Sequence, residues 1–498
     1  MSNKPVKRDG QSPLSIASHQ SWGGNDGPWS PFFIGYGSPA QYLRVLASTS
    51  NWQPYVVLPN GCTTFDCRDA RGGIFYPNQS STWTNIGDFT LGSEMNLGIN
   101  EGGNFGFDNL TLGSPGSGAP NIEHQVVVGV VAQDFFIGTL GLRPAPTNFS
   151  NFDNPIPSVL QTLKTAQLIP SLSWGYTAGS YQIGQLNKYG RGSLVLGGYD
   201  TARFVPNDVT FQFADDTSRD LVVGVISIEM DDSSESFLDE PILAFLDSGV
   251  SHIWLPEAAC DRLASKFNLT YDENMDLYLV NDTVHQALLA QNETIAFTLN
   301  NNITVGATSA PLTINLPYSA FDLQLTEDYP NNKNNATYYF PLRRAANSTQ
   351  YTLGRTFFQH AYIIADYERA EFSVHQAQFP DGNTNLQTIY PLDSETASNL
   401  ATGSIIGTAI GVFMAIVLIL VGAWFWRWKK PTTKTPVVVV RTELETLEAG
   451  RKGEFELHGQ AQQPPELPAK TAYTFQELAG DEVAEKMSAE RPRYELAG

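Results

Sequence analysis

Two segments of this chain share a frame but differ in chemistry. Phe245-Leu-Asp-Ser-Gly-Val-Ser-His-Ile-Trp-Leu-Pro256 carries a carboxylate, Asp247, between two apolar residues and an Asp-Ser-Gly turn. Leu46-Ala-Ser-Thr-Ser-Asn-Trp-Gln-Pro-Tyr-Val-Val-Leu-Pro59 has Ser48, Thr49 and Ser50 at the matching positions and ends in the same Leu-Pro. Tyr55 follows Ser48 at the spacing at which Trp254 follows Asp247, so the register holds without a gap. A positioned carboxyl exchanges protons near ordinary pH, whereas a serine hydroxyl only hydrogen-bonds. Other chemistries lack support: the three cysteines and seven histidines show no zinc spacing, and His-Glu-x-x-His, Gly-x-Ser-x-Gly and phosphate-loop motifs are absent. No metal and no cofactor is expected.

The elements that must position these loops read as strands. Of the 498 residues 16 % are charged and 11 % aromatic, with 42 Gly and 30 Pro, a composition that favours a turn-rich β architecture over helical bundles. Short β-branched or aromatic runs alternate with turn residues, as in Phe33-Ile-Gly-Tyr-Gly-Ser-Pro39 and Tyr362-Ile-Ile-Ala-Asp-Tyr367. One helix is expected over Glu257 to Phe267, opening after Pro256 with Ala259, Leu263 and Phe267 on one face. Thr139-Leu-Gly141 follows the Ser48 loop as Thr352-Leu-Gly354 follows the Asp247 loop. Two ordered matches imply a duplicated lobe with an approximate two-fold axis.

Taken together these motifs resemble the pepsin-like aspartic peptidases, specifically the membrane-attached type of filamentous fungi, over about residues 22–379. Gly35-Tyr-Gly-Ser-Pro-Ala-Gln41 is similar to the family's opening strand, Asp247-Ser248-Gly249 to its second active-site motif, and Tyr351-Thr-Leu-Gly-Arg-Thr-Phe357 to its closing strand. Cys62 and Cys67 match the spacing of its first disulfide loop, with Cys260 left over. The resemblance implies an all-β bilobal fold in which each lobe gives one carboxyl, the two about 3 Å apart and sharing a proton. One takes a proton from the attacking water while the other donates to the developing oxygen charge.

In this frame Ser48 stands where the first aspartate belongs, and no Asp or Glu lies between Asp26 and Asp66 to replace it. Ser50 stands in place of the motif's glycine, and its β-carbon is expected to restrict the turn. The flap tyrosine is also missing, since the count back from Gly106-Phe-Asp108 reaches Asn96 and Leu97. Asp247 is therefore expected as the surviving half of a dyad, an ordinary ionised carboxylate or one bound to the Ser48 hydroxyl. With positioned acid–base catalysis worth on the order of 10²–10⁴ in rate per group, the site is expected to be inactive or weak. Trp52, Tyr55 and Trp254 are either cleft or core residues.

Around this body the expected organisation is a disordered start (1–21), an N-terminal lobe (22–205), a C-terminal lobe (206–386), a stalk (387–403), a transmembrane helix (404–426) and a disordered cytoplasmic tail (427–498). Residues 404–426 carry no charge and close with Trp424-Phe-Trp426 before Arg427, Lys429 and Lys430, an aromatic belt with cytoplasmic basic anchors. Glycosylation acceptors at Asn78, Asn109, Asn148, Asn268, Asn281, Asn292, Asn302, Asn335 and Asn347 all precede that segment. The topology expected is a single-pass membrane protein of the plasma membrane or secretory pathway, ectodomain outside, although no signal peptide is evident. Nearly all of the net charge of −21 precedes residue 427, which disfavours nucleic acid as a partner.

The expected partners are a polypeptide in the interlobe cleft, the membrane, a second helix packed through Gly403, Gly407 and Gly411, and an unknown cytoplasmic partner of a tail with three Glu-Leu-x-Gly copies. Three readings remain. The leading one is a catalytically impaired binding ectodomain; the alternatives are an active membrane-bound acid endopeptidase and a structural cell-wall glycoprotein.

Overall fold

The computed structural model describes residues 11–392 except 63, 150–152, 187–189, 232, 234, 302, 304–310, 334–335 and 383. Strands dominate and the helices are short, as the composition implies. One seven-stranded sheet runs in the spatial order Phe32–Tyr36, Gln41–Ser48, Thr139–Gly141, Tyr55–Val57, Asn121–Val130, Gly102–Thr111 and Thr84–Thr90. Another seven-stranded sheet runs Leu312–Pro317, Thr294–Asn300, Val222–Met230, Ile242–Leu246, Thr352–Leu353, Ile253–Pro256 and Leu342–Ala345.

The duplication inferred from the loops is visible in the ladders. Gln41–Ser48 pairs parallel with Thr139–Gly141, Leu46 opposite Thr139, while Ile242–Leu246 pairs parallel with Thr352–Leu353, Phe245 opposite Thr352. On the return, Tyr55 opposes Thr139 and Trp254 opposes Thr352, both antiparallel. Each loop is thus folded around a short crossing strand, one ending in Gly141 and the other followed directly by Gly354. Both glycines are required by space: a β-carbon on Gly141 would lie 2.6 Å from the Trp52 carbonyl carbon, and one on Gly354 only 2.1 Å from the His252 oxygen.

A further sheet joins the halves. Leu14–Ile16, Arg191–Leu196, Ser173–Gly179, Ala361–Asp366, Glu371–Ala377 and Phe204–Val205 lie in that order, so strands from before and after residue 206 hydrogen-bond directly. The lobes are therefore stitched by a shared sheet instead of separated by a linker at 205/206. Two expectations need correction here. Residues 1–21 are not disordered throughout: Leu14 pairs with Leu196 and Ile16 with Leu194, and Ile16 is buried in the main core. Nor is the segment from 387 free of structure at its start, because Leu386–Thr388 pairs with Gly198–Asp200. In both cases the pairing partner is remote in sequence, and a three-residue strand is too short to show a period.

The helix Glu257–Phe267 forms where the apolar spacing places it, burying Ala259, Cys260, Leu263 and Phe267, and it ends at Asn268 with φ 52°. Asn is a residue that tolerates this left-handed cap. Cys62 and Cys67 form a disulfide with Cα atoms 5.6 Å apart. Cys260 is buried, and burial pushes its thiol up to about 12, so it stays protonated and unreactive. Among the described residues no helix is long and apolar enough to cross a membrane. The segment 404–426 with Gly403, Gly407 and Gly411, the tail, and the acceptors Asn302 and Asn335 lie outside the described residues.

Candidate functional site

The two loops meet at the centre of the fold and clasp each other through their middle residues. Thr49 Oγ1 donates to Leu246 O at 2.9 Å and Ser248 Oγ donates to Ala47 O at 2.8 Å. Ser248 N donates back to Thr49 Oγ1 at 3.0 Å, and Thr49 N to Ser248 Oγ at 3.1 Å. The clasp is two-fold symmetric and fully buried, so every one of its polar groups must find a protein partner, and each does. A pair of arginines supports it from outside. Arg143 Nη1 donates to Ser50 O at 3.0 Å, while Arg355 Nε and Nη2 donate to Ser248 O and Gly249 O at 3.0 and 2.9 Å. Arg355 also lies over the Trp29 ring, which shields its charge.

Symmetry ends at the residues that would do chemistry. Asp247 is 1 % exposed; its Oδ1 accepts from Gly249 N at 2.7 Å. Ser48 does not reach it. The Ser48 hydroxyl instead lies 3.1 Å from Ser50 Oγ and accepts from Asn51 N at 3.2 Å, turning back into its own loop. The expectation of an Asp247–Ser48 hydrogen bond is therefore wrong, and so is the expectation of a solitary carboxylate. Glu94 faces Asp247, the two carboxyls closing on the same space beside Gly249, and Ser50 Oγ donates to Glu94 Oε1 at 2.6 Å.

How closely these groups converge is shown at Gly249. A β-carbon there would be 2.6 Å from Glu94 Oε1, 2.8 Å from Ser50 Oγ and 2.9 Å from Asp247 Oδ1. Glycine is kept in this half because three oxygens occupy the space a side chain would take. In the other half, Ser50 takes no left-handed φ, so the predicted strain on the turn does not arise. Its hydroxyl is what holds Glu94.

Glu94 was not legible from the loop because it comes from elsewhere. The strands Thr84–Thr90 and Gly102–Thr111 form a hairpin, and its tip bends over both loops through a helical turn, Met95–Leu97. Glu94 opens that turn with φ 56° and is the sole acid among residues 91–100. A left-handed glutamate is uncommon, and it marks a backbone held by its surroundings. Burial and the facing Asp247 raise its carboxyl well above the usual carboxylate range, against the lowering effects of the Ser50 bond and Arg143. Asn96 and Leu97, where the flap tyrosine would stand, lie two and three residues past Glu94.

The aromatic candidates divide. Tyr55 is core, its hydroxyl 2.7 Å from Ser93 Oγ. Trp52 is half-buried and fixed by Thr147 and Arg143. Trp254 lines a cavity of about 230 Å³ beneath the hairpin tip, together with Trp29, Leu97, Phe135, Ile137 and His252. His252 is buried and held well below the ordinary imidazole range, so it is neutral there. Among the described residues no cluster of three or more His, Cys, Asp or Glu has the arrangement of a metal site.

This architecture, two lobes clasped over a central acidic loop with a hairpin across the cleft, defines a pepsin-like fold. The family model for eukaryotic aspartyl proteases matches residues 33–378, and the chain belongs to that family. It is similar to the probable aspartic-type endopeptidase OPSB of Arthroderma otae, 25 % identical over 341 residues that cover 65 % of this chain and 64 % of that protein. The aspartic proteinase yapsin-3 of Saccharomyces cerevisiae is 22 % identical over 72 % of this chain and 67 % of its own length. The match thus spans slightly under two thirds of the first relative. Among solved structures, an aspartic proteinase from Irpex lacteus aligns with 14 % identity and a TM-score of 0.48, covering 75 % of this chain and 100 % of that one.

Proposed function

We propose that the chain is a membrane-anchored, pepsin-like ectodomain that binds extended polypeptide in its interlobe cleft and lacks the hydrolysis of a two-aspartate site. The observation that carries this reading is Ser48, which occupies the counterpart of Asp247 while its hydroxyl is spent on Ser50 and Asn51. The dyad mechanism needs one carboxyl from each lobe, set below the substrate so that both reach the same water. Glu94 does not restore that arrangement. It hangs from the hairpin above the cleft, and its carboxyl fills the floor between Ser50 and Gly249 where a scissile bond would have to lie.

The cavity beside that floor supports a binding role, because Trp29, Phe135, Phe136 and Trp254 line it together with Asp26, Asp134, Arg343 and Arg355 and so present both apolar surface and charged partners to a ligand. The anchor at 404–426, the outward ectodomain and glycans on the acceptors belong to the same proposal. Of the acceptors, Asn78, Asn148, Asn268, Asn281, Asn292 and Asn347 are exposed. A second reading, an active acid endopeptidase, is favoured by the names of the relatives and by the Glu94–Asp247 contact. The deciding assay incubates the protein with denatured haemoglobin from acidic to neutral pH beside an Asp247→Ala control. Saturable binding without cleavage is the expected result. Pepstatin-sensitive cleavage that vanishes in the control overturns it.

A further inference from the structure

Residues 91–101 cross the cleft and are tied down on both banks. On the N-terminal side Tyr55 Oη bonds Ser93 Oγ and Ser50 Oγ donates to Glu94 Oε1. On the C-terminal side Asn96 Nδ2 donates to Thr349 O at 3.1 Å, and Gln350 Nε2 donates to Asn96 O at 2.6 Å. Between these ties the Glu94 carboxyl meets Asp247 beside Gly249, and the buried Asp247 Oδ2 has no hydrogen-bond partner among the described residues. Two carboxyls in contact away from water cannot both ionise, and one proton between them supplies the missing donor.

We propose that residues 91–101 are a proton-latched lid: a proton shared by Glu94 and Asp247 holds the lid on the cleft floor, and its loss releases the lid and admits an extended polypeptide. The inference rests on the polypeptide-binding reading and adds what controls access. A chain entering the cleft must pass under the hairpin and over residues 48–50 and 247–249, which is the volume the Glu94 carboxyl now fills. Lid and ligand therefore exclude each other.

The charges around the latch come from four other elements. Asp247, after Ile242–Leu246, disfavours ionised Glu94, whereas Arg143, after Thr139–Gly141, favours it. Arg219, ahead of Val222–Met230, faces both carboxyls, and Tyr55 in Tyr55–Val57 lies near Glu94 with its phenol held neutral by burial. Burial and Asp247 dominate, so the closed lid holds Glu94 above its ordinary range. Opening returns Glu94 to water and to that range. The closed form thus carries the extra proton, closure is complete at acidic pH, and each pH unit between the two values raises the open-to-closed ratio by up to about tenfold. Access improves towards neutral pH, the reverse of an acid peptidase.

The test uses the full-length protein in mild detergent. Hydrogen exchange at residues 91–101, corrected for intrinsic rate, is followed from about pH 4 to about pH 8, beside binding of fluorescein-labelled oxidised insulin B chain. In the unmodified protein, exchange at the tip rises about tenfold or more across this range and peptide affinity rises with it. Glu94→Gln, whose amide donates to Asp247 at every pH, keeps the tip protected and the peptide excluded throughout. Glu94→Ala leaves the tip open and binding at both ends of the range. Gln350→Ala loosens the tip at all pH values while leaving the pH step in place, separating the cross-cleft tie from the latch. A tip whose exchange ignores pH, or a step that persists in Glu94→Gln, overturns the lid. Peptide binding without any step sinks the lid but keeps the binding reading; a step without peptide binding at any pH keeps the lid and sinks that reading. Cleavage of the B chain that depends on Glu94 makes it a catalytic carboxyl and overturns both.

Discussion

The loop at 48–50 and the loop at 247–249 are built alike up to the atoms that would react. Both hang from a strand that pairs parallel with a Thr-Leu-Gly crossing strand, both clasp the opposite strand through a hydroxyl, and both have their third carbonyl held by an arginine. They differ at the first position, serine against aspartate, and at the third, serine against glycine. The framework and the carboxyl are thus separable. Close packing and buried hydrogen bonds preserve the first, whereas only proton transfer demands the second, so loss of the acid leaves no hole in the fold.

The comparison is broken most severely at the crossing glycines. Gly354→Ala and Gly141→Ala each drive a β-carbon into backbone that cannot step aside, and overpacking of this kind costs about 1–3 kcal/mol or more. The expected outcome is loss of folded protein for Gly354→Ala, with its 2.1 Å approach, and a large fall in melting temperature for Gly141→Ala. Tolerance of both changes would show that packing does not require glycine at either crossing. Next come the arginines. Arg355→Met strips donors from Ser248 O and Gly249 O, and Arg143→Met strips them from Ser50 O and Thr217 O and takes the cation from beside Asp220, so urea titration is expected to show comparable losses for the two, about 2–5 kcal/mol each.

How much was legible in the sequence follows from the same distinction. Framework signals are local and repeat: the paired Leu-Pro exits, the Thr-Leu-Gly copies and the amphipathic Glu257–Phe267 helix led to the two-lobe fold and the place of Asp247. The 199-position offset linking Tyr55 to Trp254 also links the clasping Thr49 to Ser248, and chain alignment alone carried it. Glu94 obeyed no such rule. Its place at the site depends on how a hairpin 44 residues beyond Ser50 bends, and the bend is set by contacts with Tyr55, Thr349 and Gln350 that no spacing encodes. Leu14–Ile16 was missed for a related reason, as three residues acquire meaning only beside Arg191–Leu196.

Titration offers a gentler way to separate the halves. Asp220, beside Arg143 at 3.8 Å, is pushed up to about 6 because burial outweighs the arginine. Its folded value lies above its unfolded one, so its contribution is full below the ordinary aspartate range and is lost as pH rises through about 6. In the joining sheet and beside it, His375 and His360 are pushed down to about 4 by burial, so their contribution is present above the ordinary imidazole range and lost as pH falls through about 4. Asp220→Asn is expected to recover roughly 2–3 kcal/mol above pH 6, and His360→Gln to flatten the decline on the acid side. Denaturant midpoints measured from acid to neutral pH check both, and a midpoint that moves the same way in both variants contradicts the assignment.

The finest distinction lies within the N-terminal loop, between two serines a single residue apart. Ser48→Ala removes a bond to Ser50 Oγ and one from Asn51 N, leaving a short-range loss of about 1 kcal/mol with the Glu94–Asp247 contact intact. Ser50→Ala costs a similar amount but also deletes the hydroxyl that donates to Glu94 and lowers its proton affinity. Without that donor the closed lid loses a tie to Glu94, most of all to its charged form, so the closed state weakens and the lid opens at lower pH. Two substitutions of the same kind and nearly the same energetic cost are thus expected to part in one observable, the pH midpoint of exchange at residues 91–101. It stays put in Ser48→Ala and shifts downward in Ser50→Ala. Identical midpoints would mean that Ser50 serves the loop alone and that the lost glycine was not exchanged for a hold on Glu94.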